Sequence, residues 1–535
     1  MIEDEQNATN YSPNETYCEE FFRRTVKCDP EGRYIVRLPF KENLIHSLGD
    51  NNKTALHRFQ LLERRLARNP TLGAQYVDFM SEYHRLGHME PVTENTNEKV
   101  PSYYMPYHPV VRESSTTTKV RVVYDASCKT NTGPSLNDCL LVGPIVQEDL
   151  RSIIMRARTH AIMLIADVEK MYHQILIHPD DIQFQRVFWR SSIDQPITAF
   201  ELKTVTYGTA SAPFLATRVL KQLATDEAGR FPIAAKVVET DFYVDDLFSG
   251  SATVAEAIEL QKQLDLMLAA GGMQLRKWAT NNQTAIMNVV PENRALQSDV
   301  NFDRDQTIKT LGLHWEPMTD QLKYQIHLKL TPNTKLTKRC VLSYIAQIFD
   351  PLGLVGPVVV TAKAFMQTLW ALVDENGTVW DWDRELPTHL HESWMMYHSE
   401  LSLLNMLRID RFVLLPKAIE IELQLFSDAS EIAYGSCAYL RSTDANGHVK
   451  VSLHTSRSRV APLKKQSIPR LELCGAALSA ELFQKIRTSL RLPAVAFLWT
   501  DSTIVLSWLK GTPSMWTRAK ETVILNWLTT DELSK

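Results

Sequence analysis

Two carboxylates stand side by side at Asp245-Asp246, within Tyr243-Val244-Asp245-Asp246, and apolar residues flank them at Phe242 and Leu247-Phe248. Adjacent carboxylates at a hairpin tip repel each other and are costly to bury, a cost that a divalent cation removes. Four residues of this kind equally describe an exposed acidic turn. A second acid narrows the choice. Asp167 ends the apolar run Ala161-Ile162-Met163-Leu164-Ile165-Ala166, and Tyr172 lies five positions on. Such a run reads as a buried strand with a functional residue at its tip. If Asp167 and Asp245 face each other from neighbouring strands, they form a pair able to hold two Mg²⁺ ions roughly 4 Å apart, beside nucleoside phosphates. Side chains alternate along a strand, so Asp245 and Asp246 are expected to point apart, Asp245 as direct ligand and Asp246 in support. Three more acids sit at comparable places. Asp428 follows Leu423-Gln424-Leu425-Phe426-Ser427, Glu472 falls on a predicted helix over 471–483, and Asp501 follows Val495-Ala496-Phe497-Leu498-Trp499-Thr500. Each alone is an ordinary surface acid; together they suggest a second carboxylate cluster.

Longer stretches carry a resemblance. Gly133-Pro134-Ser135-Leu136-Asn137-Asp138, Gly143-Pro144 and Ala166-Asp167-Val168-Glu169-Lys170-Met171-Tyr172-His173-Gln174-Ile175 occur in order. Phe349-Asp350-Pro351-Leu352-Gly353-Leu354 and Ile468-Pro469-Arg470-Leu471-Glu472-Leu473 follow. With Tyr-Val-Asp-Asp, they resemble reverse transcriptases of retroviruses and long-terminal-repeat retrotransposons, and within these the Bel/Pao group. The resemblance covers about residues 20–510. It implies an RNA-directed DNA polymerase that uses Mg²⁺, or Mn²⁺ in its place. The implied partners are an RNA template, a DNA primer, RNA–DNA hybrid, deoxynucleoside triphosphates (dNTPs) and other polyprotein products.

The resemblance also implies roles. Arg121, in Lys119-Val120-Arg121-Val122-Val123-Tyr124-Asp125, would contact the incoming triphosphate with Lys119 assisting; a guanidinium fork suits phosphate oxygens. Tyr172 would crowd the sugar 2′ position and favour deoxynucleotides. Tyr207-Gly208-Thr209-Ala210-Ser211-Ala212-Pro213-Phe214 would lie under the templating base pair, with Gly208 permitting close backbone approach. Relatives outside this group carry Gln or Phe where this chain has Tyr207. Lys277 would sit near the triphosphate, and Leu311-Gly312-Leu313 resembles a primer grip. Asp428-Ala429-Ser430, Glu472 and Trp499-Thr500-Asp501-Ser502 resemble an RNase H, whose clustered carboxylates bind two metals and cleave the RNA of a hybrid. A fourth acid belongs well downstream of Asp501, and Asp531 stands in no matching motif. The RNase H domain is therefore expected to be truncated, with its cleavage activity open.

The chain of 535 residues is too long for one core, and about three or four domains are expected. Its 44% hydrophobic and 22% charged residues are those of a globular protein. The net charge of −4 is not that of a basic nucleic-acid binder. Binding needs local basic tracks instead. Three stand out: Arg58, Arg64, Arg65 and Arg68; Arg112, Lys119, Arg121 and Lys129; Arg457, Arg459, Lys464, Lys465 and Arg470. Any one of them also describes a solvated helix or loop face. Seven scattered cysteines form no C-x-x-C pair and read as reduced thiols. The acidic start Met1-Ile2-Glu3-Asp4-Glu5 is no signal peptide, and the apolar stretch 354–373, broken by Pro357, Lys363 and Gln367, reads as a buried helix rather than a membrane span. A cytoplasmic location is expected from these features, and the resemblance adds a retroelement particle as a setting there.

Helices are predicted over 54–67, stopped by Asn69-Pro70, and over 73–85 and 255–270; a strand is expected over 33–38, a hairpin over 240–250 and one strand from Ile308 to Trp315. Pattern alone gives mixed α and β elements in this order. The resemblance adds a multidomain α+β fold: a right-hand polymerase with fingers and an antiparallel palm sheet, then a connection region, then a truncated α/β RNase H-like domain. The expected bounds are 1–50 for an N-terminal extension, 51–315 for fingers and palm, 316–418 for the connection and 419–535 for the RNase H-like domain. Two other readings compete. An aspartic peptidase needs Asp-Thr/Ser-Gly, and Asp501-Ser502-Thr503 lacks the glycine. A non-catalytic retroelement-derived fragment that keeps nucleic-acid binding would not need all six acids.

Overall fold

The computed structural model describes residues 11–92, 101–111, 120–295, 308–310, 313–326, 335–490 and 493–510. Lys119, Arg112, Asp531 and the Leu311-Gly312 part of the primer-grip motif lie outside them. The chain forms a mixed α/β structure whose four-stranded sheets include one ordered 242–243, 246–251, 162–168, 275–280. It divides into two compact units, 1–147 with 167–245 and 260–276, and 148–166 with 246–259 and 277–535.

In the first unit, helix Asn52–Ala67 buries Ala55, Phe59, Leu62 and Leu66 on one face, as its spacing predicts. The next helix, Pro70–Arg85, starts at the very proline expected only to stop the first. Asn69 Oδ1 accepts from the Leu72 N–H at 3.2 Å, and Pro70 takes a first-turn position that needs no N–H donor. Strands Tyr107–Val111 and Val120–Tyr124 pair antiparallel, with Val110 opposite Arg121. Strand Tyr34–Val36 pairs antiparallel with Lys27–Cys28 and parallel with Leu176–Ile177. Met89–Pro91, Thr198–Leu202 and Arg186–Trp189 make a further antiparallel sheet. The apolar pair Val237-Val238 lies on helix Pro232–Thr240, which leads into the hairpin.

In the second unit, the expected single strand over 308–315 is two. Ile308–Thr310 pairs antiparallel with Leu313–Glu316, and Ile308 stands opposite Trp315. Helix Gly356–Trp370 takes the apolar stretch and buries Ala362, Met366 and Leu369. No helix among the described residues is long and apolar enough to cross a membrane. The last sheet is ordered 449–460, 433–443, 420–429, 495–500; its last pair is parallel and the other two are antiparallel. Helix Ile468–Leu490 covers one face, where Leu482, Phe483 and Ile486 join Leu423, Leu425, Ala438 and Leu440 in one core. That core also takes in Ile153, Ile154 and Met155 from helix Leu150–Ala157. The two helices are tied by Ser489 Oγ to Ser152 Oγ at 2.8 Å, Arg156 Nη1 to the Ser489 carbonyl at 2.8 Å, and a Lys485–Asp149 ion pair. All seven cysteines are free thiols.

Candidate active sites

Asp167 lies near the end of strand Ile162–Val168, whose residues 163–166 are buried. A continuous apolar strand covered on both faces holds its tip firmly. The Val168 N–H donates to the Asp245 carbonyl at 2.8 Å, so the backbones bearing Asp167 and Asp245 run side by side. Glu169 N–H donates to the Gln274 carbonyl at 2.8 Å, and its side chain pairs with Arg276 at 2.7 Å. Tyr243-Val244-Asp245-Asp246 forms the hairpin turn, with Val244 and Asp245 at its corner and Asp246 opening the strand Asp246–Ser251. Asp245 is a turn residue, so the strand alternation from which the two carboxylates were expected to diverge does not extend to it. Val244 has φ +58°, a left-handed conformation that a β-branched residue adopts at a cost of about 1–3 kcal/mol. Its N–H donates to Gln147 Oε1 at 2.8 Å, which pins the strained corner.

Tyr172 follows on the helical turn Met171–Gln174. Burial raises its phenol pKa first and the Asp245 charge raises it further, which sets the hydroxyl within the field of that carboxylate. The Tyr172 ring meets Tyr207 edge-on at 6.0 Å. Burial pushes the Tyr207 phenol up to about 12, and the neighbouring Arg121 charge opposes the shift. Arg121 itself is exposed on its strand. Gly208 has φ +107°, and a Cβ there would stand 2.3 Å from the Tyr124 carbonyl oxygen, so glycine is required. Asn137 brackets this loop: its Nδ2 donates to the Gly208 carbonyl at 3.0 Å and its Oδ1 accepts from Ala210 N–H at 2.8 Å. Asp167, Asp245, Tyr172, Tyr207, Gly208 and Arg121 thus share the first unit. Lys277 is an exposed residue of strand Leu275–Thr280 with φ +55°.

The second cluster is tighter. Asp428 lies on strand Glu420–Ala429, Glu472 on the helix and Asp501 just past strand Val495–Thr500. The parallel register sets Ser427 opposite Thr500, so the two strand-borne acids reach the same end of the sheet. Gly475 lets the helix close on the strand; a Cβ there would meet the Asp428 carbonyl at 3.2 Å. One ligand oxygen from each of the three acids lies within 4.8 Å of the others. Among the described residues it is this trio, and not one containing Asp167 and Asp245, that meets this closeness. Glu472 is 8% exposed, and its Oε2 is buried without a hydrogen-bond partner. Burial raises the Glu472 pKa, and the charges of Asp428 and Asp501 raise it further. A buried, unpartnered oxygen beside two like charges is the donor set that a divalent cation satisfies. The hard-oxygen pair Asp167 and Asp245 suits the same ions, though without an orphaned atom to mark it.

The basic tracks are partly spent on ion pairs. Arg58 pairs with Asp125 at 2.7 Å, and Arg457 and Arg459 share Glu481 at 3.2 Å each. Nothing in the amino-acid pattern marks Gln147, Asn137 or Gly475 as supports. Asn137 alone falls within a recognisable motif, and that motif does not point to its distant partners.

With its acidic trio on the sheet of 420–500 and its paired aspartates on the hairpin 242–251, the mixed α/β fold resembles that of reverse transcriptases with an RNase H-like domain. Residues 337–502 match the family model described as Pao retrotransposon-like RNaseH-like domain, which contains all three acids and bears out the Bel/Pao resemblance over that segment. Solved structures that resemble the chain include two foamy viral ones. The foamy viral protease-reverse transcriptase dRH in complex with ds DNA is 14% identical, with TM-score 0.51 over 84% of this chain and 67% of that one. The foamy viral protease-reverse transcriptase in complex with RNA/DNA hybrid is 13% identical, with TM-score 0.51 over 92% of this chain and 61% of that one. The chain thus spans about three fifths to two thirds of their length, and at this identity the likeness is one of fold. No curated protein matches the sequence.

Proposed function

We propose that this chain is an RNA-directed DNA polymerase with an attached RNase H-like nuclease. Residues 51–315 serve as fingers and palm, 316–418 as connection and 419–535 as the nuclease. One observation carries the polymerase reading: the Val168–Asp245 backbone bond that sets Asp167 beside Asp245, with Tyr172 in the field of Asp245. The foamy viral structures, solved with ds DNA and RNA/DNA hybrid, support nucleic-acid partners.

Asp167 and Asp245, with Asp246 in support, would hold Mg²⁺ at one site, and Asp428, Glu472 and Asp501 at the other. A bound Mg²⁺ pair supplies charge neutralisation at the reacting phosphate and activation of the attacking oxygen. Arg121, assisted by Lys119 and Lys277, binds and orients the triphosphate through charge-assisted hydrogen bonds. Tyr172 excludes a sugar 2′-hydroxyl. Tyr207 and Gly208, braced by Asn137, form the floor under the new base pair.

Primer extension on an RNA template with Mg²⁺ tests this. The protein is expected to incorporate deoxynucleotides, and Asp245→Asn to lower the rate at least about a thousandfold, the scale of losing a metal-borne charge at the reacting centre. Extension that survives Asp245→Asn overturns the assignment.

A further inference from the structure

The residue after Tyr172 is a histidine with no polar work to do. His173 is 6% exposed, and both its ring nitrogens are buried without a hydrogen-bond partner. Its contacts are rings: Tyr83 edge-on at 5.0 Å, His88 at 5.1 Å and Tyr207 at 5.5 Å. The backbone around it is held as well. Arg33 Nη2 donates to the His173 carbonyl at 3.0 Å and Nε to the Gln174 carbonyl at 3.1 Å. The turn opens at Lys170, whose φ is +48° and whose Nζ pairs with Glu82 at 2.8 Å. Tyr207, which His173 touches, is also the ring that Tyr172 meets edge-on.

Burying two unpartnered ring nitrogens costs free energy that a phenylalanine would not incur. The packed ring is therefore the part that acts, and it acts on its neighbours. We propose that His173 is a positioning residue that fixes the Tyr172 and Tyr207 rings relative to each other and so sets how strictly the sugar is discriminated. This rests on the polymerase reading and on the gating role given there to Tyr172.

The test compares His173→Ala and His173→Phe in the full chain, by kcat/KM for deoxy- and ribonucleotide incorporation and by backbone hydrogen exchange over 170–175. His173→Ala is expected to lower deoxy-over-ribo discrimination about tenfold, the scale of a reshaped apolar contact, mainly by admitting ribonucleotides, and to speed exchange in that segment. His173→Phe is expected to keep both at the wild-type level. Equal loss with both sugars overturns the proposal, as does a Phe variant that behaves like Ala. Failure of the wild type to extend a primer counts against the polymerase reading itself. Unchanged exchange in His173→Ala then still overturns the positioning role.

Discussion

Glu472 is the residue whose surroundings speak most directly of its partner. Burial, and then the charges of Asp428 and Asp501, raise its pKa above the usual carboxylate value. A carboxyl whose folded pKa lies above its unfolded value gives stability at low pH, and that stability is lost as pH rises from the unfolded value through the folded one. In metal-free protein at neutral pH the ionised Glu472 is thus a burden. Glu472→Gln is expected to raise the melting temperature of the metal-free protein by about 2–4 °C at pH 7 and by less at pH 4, and to show none of the further rise with Mg²⁺ that the proposed metal site predicts for the wild type. Thermal melts at the two pH values with and without Mg²⁺ check this; a lower melting temperature for the metal-free variant at pH 7 refutes it. At this scale Asp167, Asp428 and Asp501 stood out in the sequence because each ends or follows an apolar run, whereas Glu472 stood out through the motif around it. The supports were not. Gln147 reaches Val244 across 97 positions and Asn137 reaches Gly208 across 71, separations over which side-chain type carries no distance information.

Elements were legible where periodicity was strong. Helix Asn52–Ala67 and strand Val495–Thr500 fall where spacing put them. Short apolar stretches were ambiguous, as expected when a pair such as Val237-Val238 fits helix and strand equally. That 308–310 and 313–316 are two paired strands rather than one was not signalled by the strand pattern. Nor did sequence show what anchors the segment leading into strand Ile162–Val168. Arg411 is fully buried, binds Asp320 through two nitrogens at 2.6 and 2.7 Å, and donates to the carbonyls of Ala157 and His160 at 2.6 and 2.8 Å. Removing one partner of a buried pair strands the other and its carbonyls, at about 3–5 kcal/mol. Arg411→Ala is expected to lower urea stability of the second unit by that amount, measured from its unfolding midpoint; a change below about 1 kcal/mol, the range of exposed pairs, would contradict the buried anchor.

At the scale of the whole molecule, the sequence suggested domains laid end to end, with a nuclease beginning near residue 419. Residues 148–166 belong to the same unit as 277–535, and helix Leu150–Ala157 shares the core of helix Ile468–Leu490. Hydrophobic pattern reports that a helix has an apolar face; it does not report which distant helix covers it. A fragment starting at residue 419 would expose Leu482, Phe483, Ile486 and Leu490 where Ile153, Ile154 and Met155 stood. Burial of such side chains is worth about 1.5–3 kcal/mol each. The fragment is expected to melt without a cooperative transition while the full chain melts cooperatively; calorimetry of the two decides, and a sharp transition in the fragment would contradict the shared core.

Inheritance feels the same arrangement. A crossover between two related genes that exchanged everything downstream of residue 419 would mate one parent's Ser489 and Lys485 with the other parent's Ser152 and Asp149. Such a hybrid keeps its fold only when both halves of that seam have drifted together. Exchanging the region beyond 419 between related chains therefore demands that the short stretch 148–166 travel with it, through breakpoints on each side of it as well as the one near 419.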